Sequence, residues 1–161
     1  MSAETLINNL TKQYQLHEAL LKNALKKTEV LKKGDVDSLQ EIMREEQKLT
    51  TAITMMENER QTAAQSFIKK NGDDQITMAD CISAAVPEAA ETLRALQEQL
   101  VSVIDKLQEQ NELNKQLIYQ SLQFVNMNLD LLQPEKETAT YGRPDTRKQT
   151  KQGKSFFDSK A

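Results

Sequence analysis

The longest uninterrupted helical pattern in this sequence extends from Glu88 to Leu132, between two prolines, and contains neither glycine nor proline. Because an α-helix rises about 1.5 Å per residue, this stretch predicts a helix roughly 67 Å long. Its heptad-like seam, from Leu93 to Leu131, follows alternating steps of three and four residues, the period of a coiled coil. Such a helix needs other helices to cover its apolar stripe, so the rest of the chain is expected to supply them.

Two further long helices are predicted upstream, over residues 2–33 and 36–70. The chain has 161 residues with only 4 Gly, 3 Pro and 4% aromatic residues, a composition typical of long helices with aliphatic seams. Gly34 is expected to end the first helix in a left-handed cap, and Asp35 or Asp37 to begin the second. A connection this short predicts that the two helices form an antiparallel hairpin.

The segment between the second helix and the long third one is expected to return the chain. Thr77 and Asp80 have the spacing of a capping box, which predicts a short helical piece over residues 77–85. The third long helix, 88–132, would then lie antiparallel to the second. We therefore predict an all-α fold: a long antiparallel helical hairpin plus a longer third helix in a coiled-coil-like bundle over residues 1–133. Residues 134–161 are predicted to be a flexible basic tail.

Charged and amide residues interrupt the apolar seams of the predicted helices. Glu46 and Arg60 occupy core positions of the second helix, and Gln110 and Asn114 occupy core positions of the third. Counting along antiparallel helices sets Glu46 near Gln110 and Asn114. The sequence therefore predicts a structural polar layer of Glu46, Gln110 and Asn114, in which Glu46 contacts these amides or pairs with a cation.

The end of the third helix has more apolar surface than the hairpin can cover. The second helix has about 36 residues and the third about 45, so residues from about Phe124 to Leu132 are expected to extend past the hairpin turn. Exposed apolar surface of this kind usually marks a binding site. Three explanations remain open: a helix of a partner protein, a second copy of the chain, or the tail folding back with Phe156 and Phe157.

The composition argues against an enzyme and against several classes of partner. One histidine and one cysteine cannot form a metal site or an activated nucleophile, so no catalytic residue, metal or cofactor is predicted. Residues 1–132 carry 14 basic and 20 acidic side chains, which disfavours nucleic acid. The absence of a long apolar run or a signal segment argues against membrane insertion and secretion. A single cysteine suits a reducing compartment, so we expect a cytoplasmic protein.

Several features together resemble the FlgN family of bacterial flagellar export chaperones. They are the hairpin closed at Gly34-Asp35, the Glu46 and Arg60 spacing, the NELNKQLIYQSLQFVNMNLDLLQP stretch (111–134) and the TYGRPD that follows it (140–145). The resemblance covers essentially the whole chain, and residues 111–145 are its specific part.

The resemblance implies a function for two parts of the chain. Proteins of the family bind the carboxy-terminal helical segments of the hook-filament junction proteins FlgK and FlgL in the cytoplasm and deliver them to the export gate protein FlhA. Client binding would involve the end of the third helix, through Leu117, Ile118, Leu122, Phe124, Val125 and Leu129. Docking on the gate would involve Tyr141 and Gly142. The alternative is a coiled-coil structural or dimeric adaptor protein without an export role.

Overall fold

The computed structural model describes residues 3–68 and 76–132 of the chain, and these residues are 95% helical with no strand among them. The helices are α1 (Ala3–Lys33), α2 (Val36–Ile68), α3 (Met78–Ala84) and α4 (Pro87–Leu132). The predicted all-α fold class is therefore confirmed. The predicted tail, residues 134–161, lies outside the described residues.

The turn between α1 and α2 is built from a glycine and a capping aspartate. Gly34 has a φ of 71°, a left-handed conformation that L side chains rarely adopt, and its N–H donates to the Val30 carbonyl over 3.0 Å. Asp35, one of two candidates from the sequence, accepts from the Ser38 backbone N–H at 3.2 Å and from its hydroxyl at 2.6 Å. These bonds lower the pKa of the Asp35 carboxyl.

Buried amides join α1 to α2. Asn9 donates to the Met56 carbonyl and Asn23 to the Ile42 carbonyl, both over 3.0 Å. From Asn9 to Asn23 the chain advances 14 residues on α1, while from Met56 to Ile42 it goes back 14 residues on α2. The two helices are therefore antiparallel neighbours. Both asparagines are buried, at 7% exposure, so each amide also satisfies a backbone acceptor away from water.

The hydrophobic core lies where α1, α2, α3 and the first turns of α4 meet. Its buried members are Leu6, Leu10, Ala64, Ile76, Cys81 and Leu93. A capping box begins α3, because the Asp80 N–H donates to the Thr77 hydroxyl and the Thr77 N–H donates to the Asp80 carboxylate. The predicted cap thus holds the short helix that carries Cys81 into the core.

The helices α1 and α4 run parallel. Near the start of both helices, Leu6 and Leu10 share the core with Leu93, and further along both, Thr28 contacts Asn114. This follows from the topology, because α1 and α4 are each antiparallel to α2.

The contacts divide the chain into two units, the first ending at Ile118 and the second beginning at Tyr119. The division falls within α4. The predicted boundary at residues 133–134 lies outside the described residues and stays a prediction. The first unit contains the core described above. Of the second unit the structure describes residues 119–132, and every one of these residues is exposed.

Candidate functional site

The residues predicted to bind a client differ in exposure along α4. Leu117 and Ile118 belong to the first unit, where Leu117 is half-buried and Ile118 is 37% exposed. The other four belong to the second unit and are more exposed. Their exposed fractions are 43% for Leu122, 65% for Phe124, 51% for Val125 and 51% for Leu129.

The exposed apolar side chains of the second unit form two stripes on different faces of α4. Successive residues are about 100° apart around a helix, so side chains three and four positions apart share a face. The first stripe consists of Leu122, Val125, Leu129 and Leu132, and the second stripe of Phe124, Met127 and Leu131. Since the stripes face apart, one docking helix cannot cover both.

The surroundings of the stripes are polar but almost uncharged. Between positions 119 and 132 the sequence has one charged residue, Asp130, and its other polar side chains are mostly amides. Tyr119, which is 63% exposed, adds a further aromatic ring that the seam pattern does not identify, because the residue lies outside the seam. Its spacing of three residues from Leu122 was the signal that could have identified it. Such a surface favours apolar packing with side-chain hydrogen bonds at the edges.

Two residues of the predicted polar layer, Gln110 and Asn114, meet at Thr28 of α1. The Gln110 amide donates to the Thr28 hydroxyl, and the Asn114 amide donates to the Ala24 carbonyl over 2.9 Å. The Thr28 hydroxyl is within donating distance of the Asn114 side-chain oxygen and of the Ala24 carbonyl. Because Thr28 and Asn114 are 5% and 2% exposed, this cluster aligns α1 with α4 at one register.

The third residue of that predicted layer, Glu46, lies elsewhere. Its carboxylate pairs with the Lys27 ammonium at 3.0 Å, and the Glu46 side chain is 38% exposed while that of Lys27 is 13% exposed. Glu46 thus joins α2 to α1 through a cation, the second of the two arrangements that the sequence allowed. An ion pair this exposed is screened by water and contributes little to stability.

Arg60, the other charge in a core position of α2, is held by its own helix. Its guanidinium donates twice to Glu57, over 2.7 and 2.8 Å, which lowers the pKa of the Glu57 carboxyl. The Gln13 amide of α1 also donates to Glu57, over 3.3 Å. The Nη1 nitrogen of Arg60 is buried and has no hydrogen-bond partner among the residues that the structure describes. The network therefore positions α1 against α2 at some cost in desolvation.

The two side chains with the greatest potential reactivity, Cys81 and His17, have structural contacts. Cys81 is fully buried, and burial raises the pKa of its thiol, which disfavours the reactive thiolate. The His17 ring nitrogen Nδ1 lies 2.8 Å from the Gln13 carbonyl of the same helix. Within the described ranges, 3–68 and 76–132, no three histidine, cysteine or carboxylate side chains converge as metal ligands would.

Two further expectations concern the tail and membranes. Tyr141 and Gly142, predicted to dock on the export gate, lie outside the described residues. Of the helices that the structure describes, none combines the length and apolar character needed to cross a membrane.

Comparisons with known proteins place the chain in a family. The profile of the FlgN protein family matches residues 1–149. The chain is 35% identical over 162 residues to a protein of Bacillus subtilis (strain 168) described as uncharacterized protein YvyG, and the alignment covers 100% of both chains. No solved structure matches the chain. The profile match, which spans most of the sequence, shows that the chain belongs to the FlgN family, a family of flagellar export chaperones.

Proposed function

We propose that this chain is a cytoplasmic chaperone that binds the carboxy-terminal helical segments of the junction proteins FlgK and FlgL. Binding would keep those segments from assembling prematurely and would bring them to the export gate protein FlhA. Family membership supports the general role in flagellar export. The specific clients and the gate follow from the resemblance of residues 111–145.

The observation that carries the proposal is the exposure of the two stripes. Seven apolar side chains within fourteen residues are exposed on one helix end. Burying one such side chain is worth roughly 1.5 to 3 kcal/mol, so a partner that covers a stripe gains several such contributions. An amphipathic helix, which presents apolar residues at the same three and four spacing, has the complementary shape.

The two stripes suggest how the client would be held. Leu122, Val125 and Leu129 of the first stripe offer one row, and Phe124 and Met127 of the second offer another. A client segment made of two helices could cover both rows at once. A client of one helix would leave the other row for a different partner.

Co-purification with FlgK and FlgL tests the proposal directly. The full chain should bind the carboxy-terminal segments of the junction proteins as a 1:1 complex and should sediment as a monomer when free. A chain that forms a stable dimer through α4 and binds neither junction protein would instead support the adaptor alternative. Truncated junction proteins without their terminal helices provide the matched control, and they should not bind.

A further inference from the structure

Two strips of polar side chains separate the first stripe of α4 from the second stripe, and the strips differ in width. Successive residues are about 100° apart around a helix, so the stripe edges at Phe124 and Leu132 are about 80° apart. On the other side of the helix, the stripe edges at Met127 and Leu122 are about 140° apart. The narrow strip contains Ser121 and Asn128, and the wide strip contains Tyr119, Gln123, Asn126 and Asp130.

The width of each strip decides what happens to its side chains when a partner binds. A helix with its side chains is about 10 to 12 Å across, so 80° of its circumference measures about 7 to 8 Å and 140° about 12 to 15 Å. Two helices that rest on the two stripes are each wider than the narrow strip, so they close over it, whereas the wide strip remains open to water. A partner that covers both stripes therefore encloses Asn128 and leaves Asn126 exposed.

In the free chain the Asn128 side chain is available to a partner. Asn128 is exposed, and its amide forms no hydrogen bond with another of the described residues, 3–68 and 76–132. A partner that covers this amide with apolar groups alone would remove its contacts with water, which costs binding free energy. A partner that offers a hydrogen bond at this point avoids that cost.

An amide two heptads earlier on α4 shows what such a partner offers. Asn114 precedes Asn128 by 14 residues, and a repeat of seven residues returns to nearly the same face of a helix. Asn114 is 2% exposed, and its amide donates to the Ala24 carbonyl of α1 over 2.9 Å. The Thr28 hydroxyl, also on α1, lies within donating distance of the Asn114 side-chain oxygen. Where another helix covers α4 in the first unit, the asparagine at this heptad position is thus paired with uncharged polar groups of that helix.

We infer that Asn128 determines which client binds the stripes: the client covers both stripes and presents an uncharged hydrogen-bonding side chain opposite Asn128, as Thr28 does opposite Asn114. This inference rests on the proposed function, because the client is the partner proposed there, and it adds the chemistry that the client must carry. A client with only apolar side chains at this point would leave the Asn128 amide buried and unpaired. The stripes supply affinity, and Asn128 selects among apolar partners.

Matched alanine substitutions test the role of Asn128 in the full-length chain. Asn128→Ala should weaken binding of the FlgK and FlgL carboxy-terminal segments about tenfold or more, because it leaves a polar side chain of the client unpaired. Asn126→Ala removes the same amide from the wide strip and should change the affinity less than about twofold. The two substitutions change helix propensity equally, so circular dichroism should show equal helix content. Titration calorimetry measures the affinities.

A second set of measurements identifies the partner of Asn128. Each serine, threonine, asparagine and glutamine of the bound segment is replaced by alanine, and each variant is titrated against the unsubstituted chain and against Asn128→Ala. One of these client substitutions should weaken binding to the unsubstituted chain and have almost no further effect on Asn128→Ala, since the two side chains form one hydrogen bond. In the complex, the side-chain amide protons of Asn128 should exchange with water more slowly than those of Asn126.

The outcomes distinguish this inference from the proposed function. If the unsubstituted chain binds neither junction-protein segment, the proposed function is wrong and this inference is wrong with it. If the chain binds a segment, equal effects of Asn126→Ala and Asn128→Ala, or additive effects with every client substitution, would overturn this inference alone. Tighter binding by Asn128→Leu would also overturn it, because the position would then face an apolar surface of the client.

Discussion

At the scale of single residues, the buried contact of Thr28 was harder to predict than the amides that surround it. Gln110 and Asn114 are conspicuous because amides in an apolar seam need partners. Thr28 also lies in the α1 seam, but a threonine can satisfy its hydroxyl on its own helix, as Thr11 does with the Ile7 carbonyl at 2.8 Å. The sequence therefore identified the polar residues on α4 and did not identify their partner on α1.

Removal of the Thr28 hydroxyl should destabilise the first unit. Thr28→Val keeps the shape of the side chain but leaves the Gln110 amide and the Asn114 oxygen without a partner, at a cost of about 1 to 3 kcal/mol. Urea unfolding measures this change. Thr11→Val, which breaks only a bond within α1, should cost less, and so should Glu46→Ala, because Lys27 can extend toward water. Equal costs for Thr28→Val and Thr11→Val would show that the cluster does not act across helices.

We propose that Tyr141 serves gate docking and not client binding, so a substitution there tests the two roles separately. The residue lies nine positions beyond the end of α4, and its ring combines apolar area with a hydroxyl, which suits insertion into a pocket of the gate. Tyr141→Ala should retain the melting temperature and the affinity for FlgK and FlgL, and should lose affinity for the cytoplasmic domain of FlhA. Titration calorimetry with each partner measures this, with Thr140→Ala as the neighbouring control. Weaker client binding with normal gate binding would contradict the assignment.

At the scale of elements, the helices followed from glycine, proline and apolar periodicity. Gly34, the Thr77 cap and Pro87 lie where helices end or begin, because each residue has a backbone preference that acts locally. How far the neighbouring helices cover α4, in contrast, depends on tertiary packing and not on the local sequence. α1 ends five residues after Thr28, and in a parallel pair the equivalent point on α4 is Tyr119, five residues after Asn114. Counting from the hairpin turn instead predicts that α4 is covered to about Phe124.

Each stripe of α4 should contribute to client binding. Phe124→Asp with Val125→Asp places one carboxylate in each stripe and should abolish binding of the junction proteins, because burying an unpaired charge is costly. Helix content should remain nearly intact, since both side chains are more than half exposed in the free chain. Pull-down and circular dichroism, run together, measure both effects.

The control for these substitutions uses the same turns of α4. Gln123→Asp with Asn126→Asp adds the same charge at exposed polar positions between the stripes, and it should preserve binding. Loss of binding in this control would mean that charge, rather than apolar contact, decides the result. Substantial unfolding of the Phe124→Asp and Val125→Asp chain would show that the stripes are core.

At the scale of the whole molecule, one unit has a core and the other has exposed apolar surface. The first unit buries Leu6, Leu10 and Leu93 and adds the polar contacts of Thr28 and Arg60. In the second unit, residues 119–132 have no buried side chain. Composition alone could not locate this division, since the helical pattern continues without a glycine or proline from Glu88 to Leu132. Among the described residues, what changes is burial: Asn114 and Leu117 are at least partly buried, whereas residues 119–132 are all exposed, and only the tertiary structure reveals this.

This difference between the units should be measurable by hydrogen exchange in the intact chain. Backbone amides of residues 119–132 should exchange much faster than those near Leu93 and Asn114, because a helical segment of fourteen residues is marginally stable without tertiary packing. Addition of a junction-protein segment should slow exchange in 119–132 and leave the first unit nearly unchanged. In the Phe124→Asp and Val125→Asp chain the client should have no effect. Strong protection of 119–132 in the free, dilute chain would show that the stripes are already covered and are therefore not available to a client.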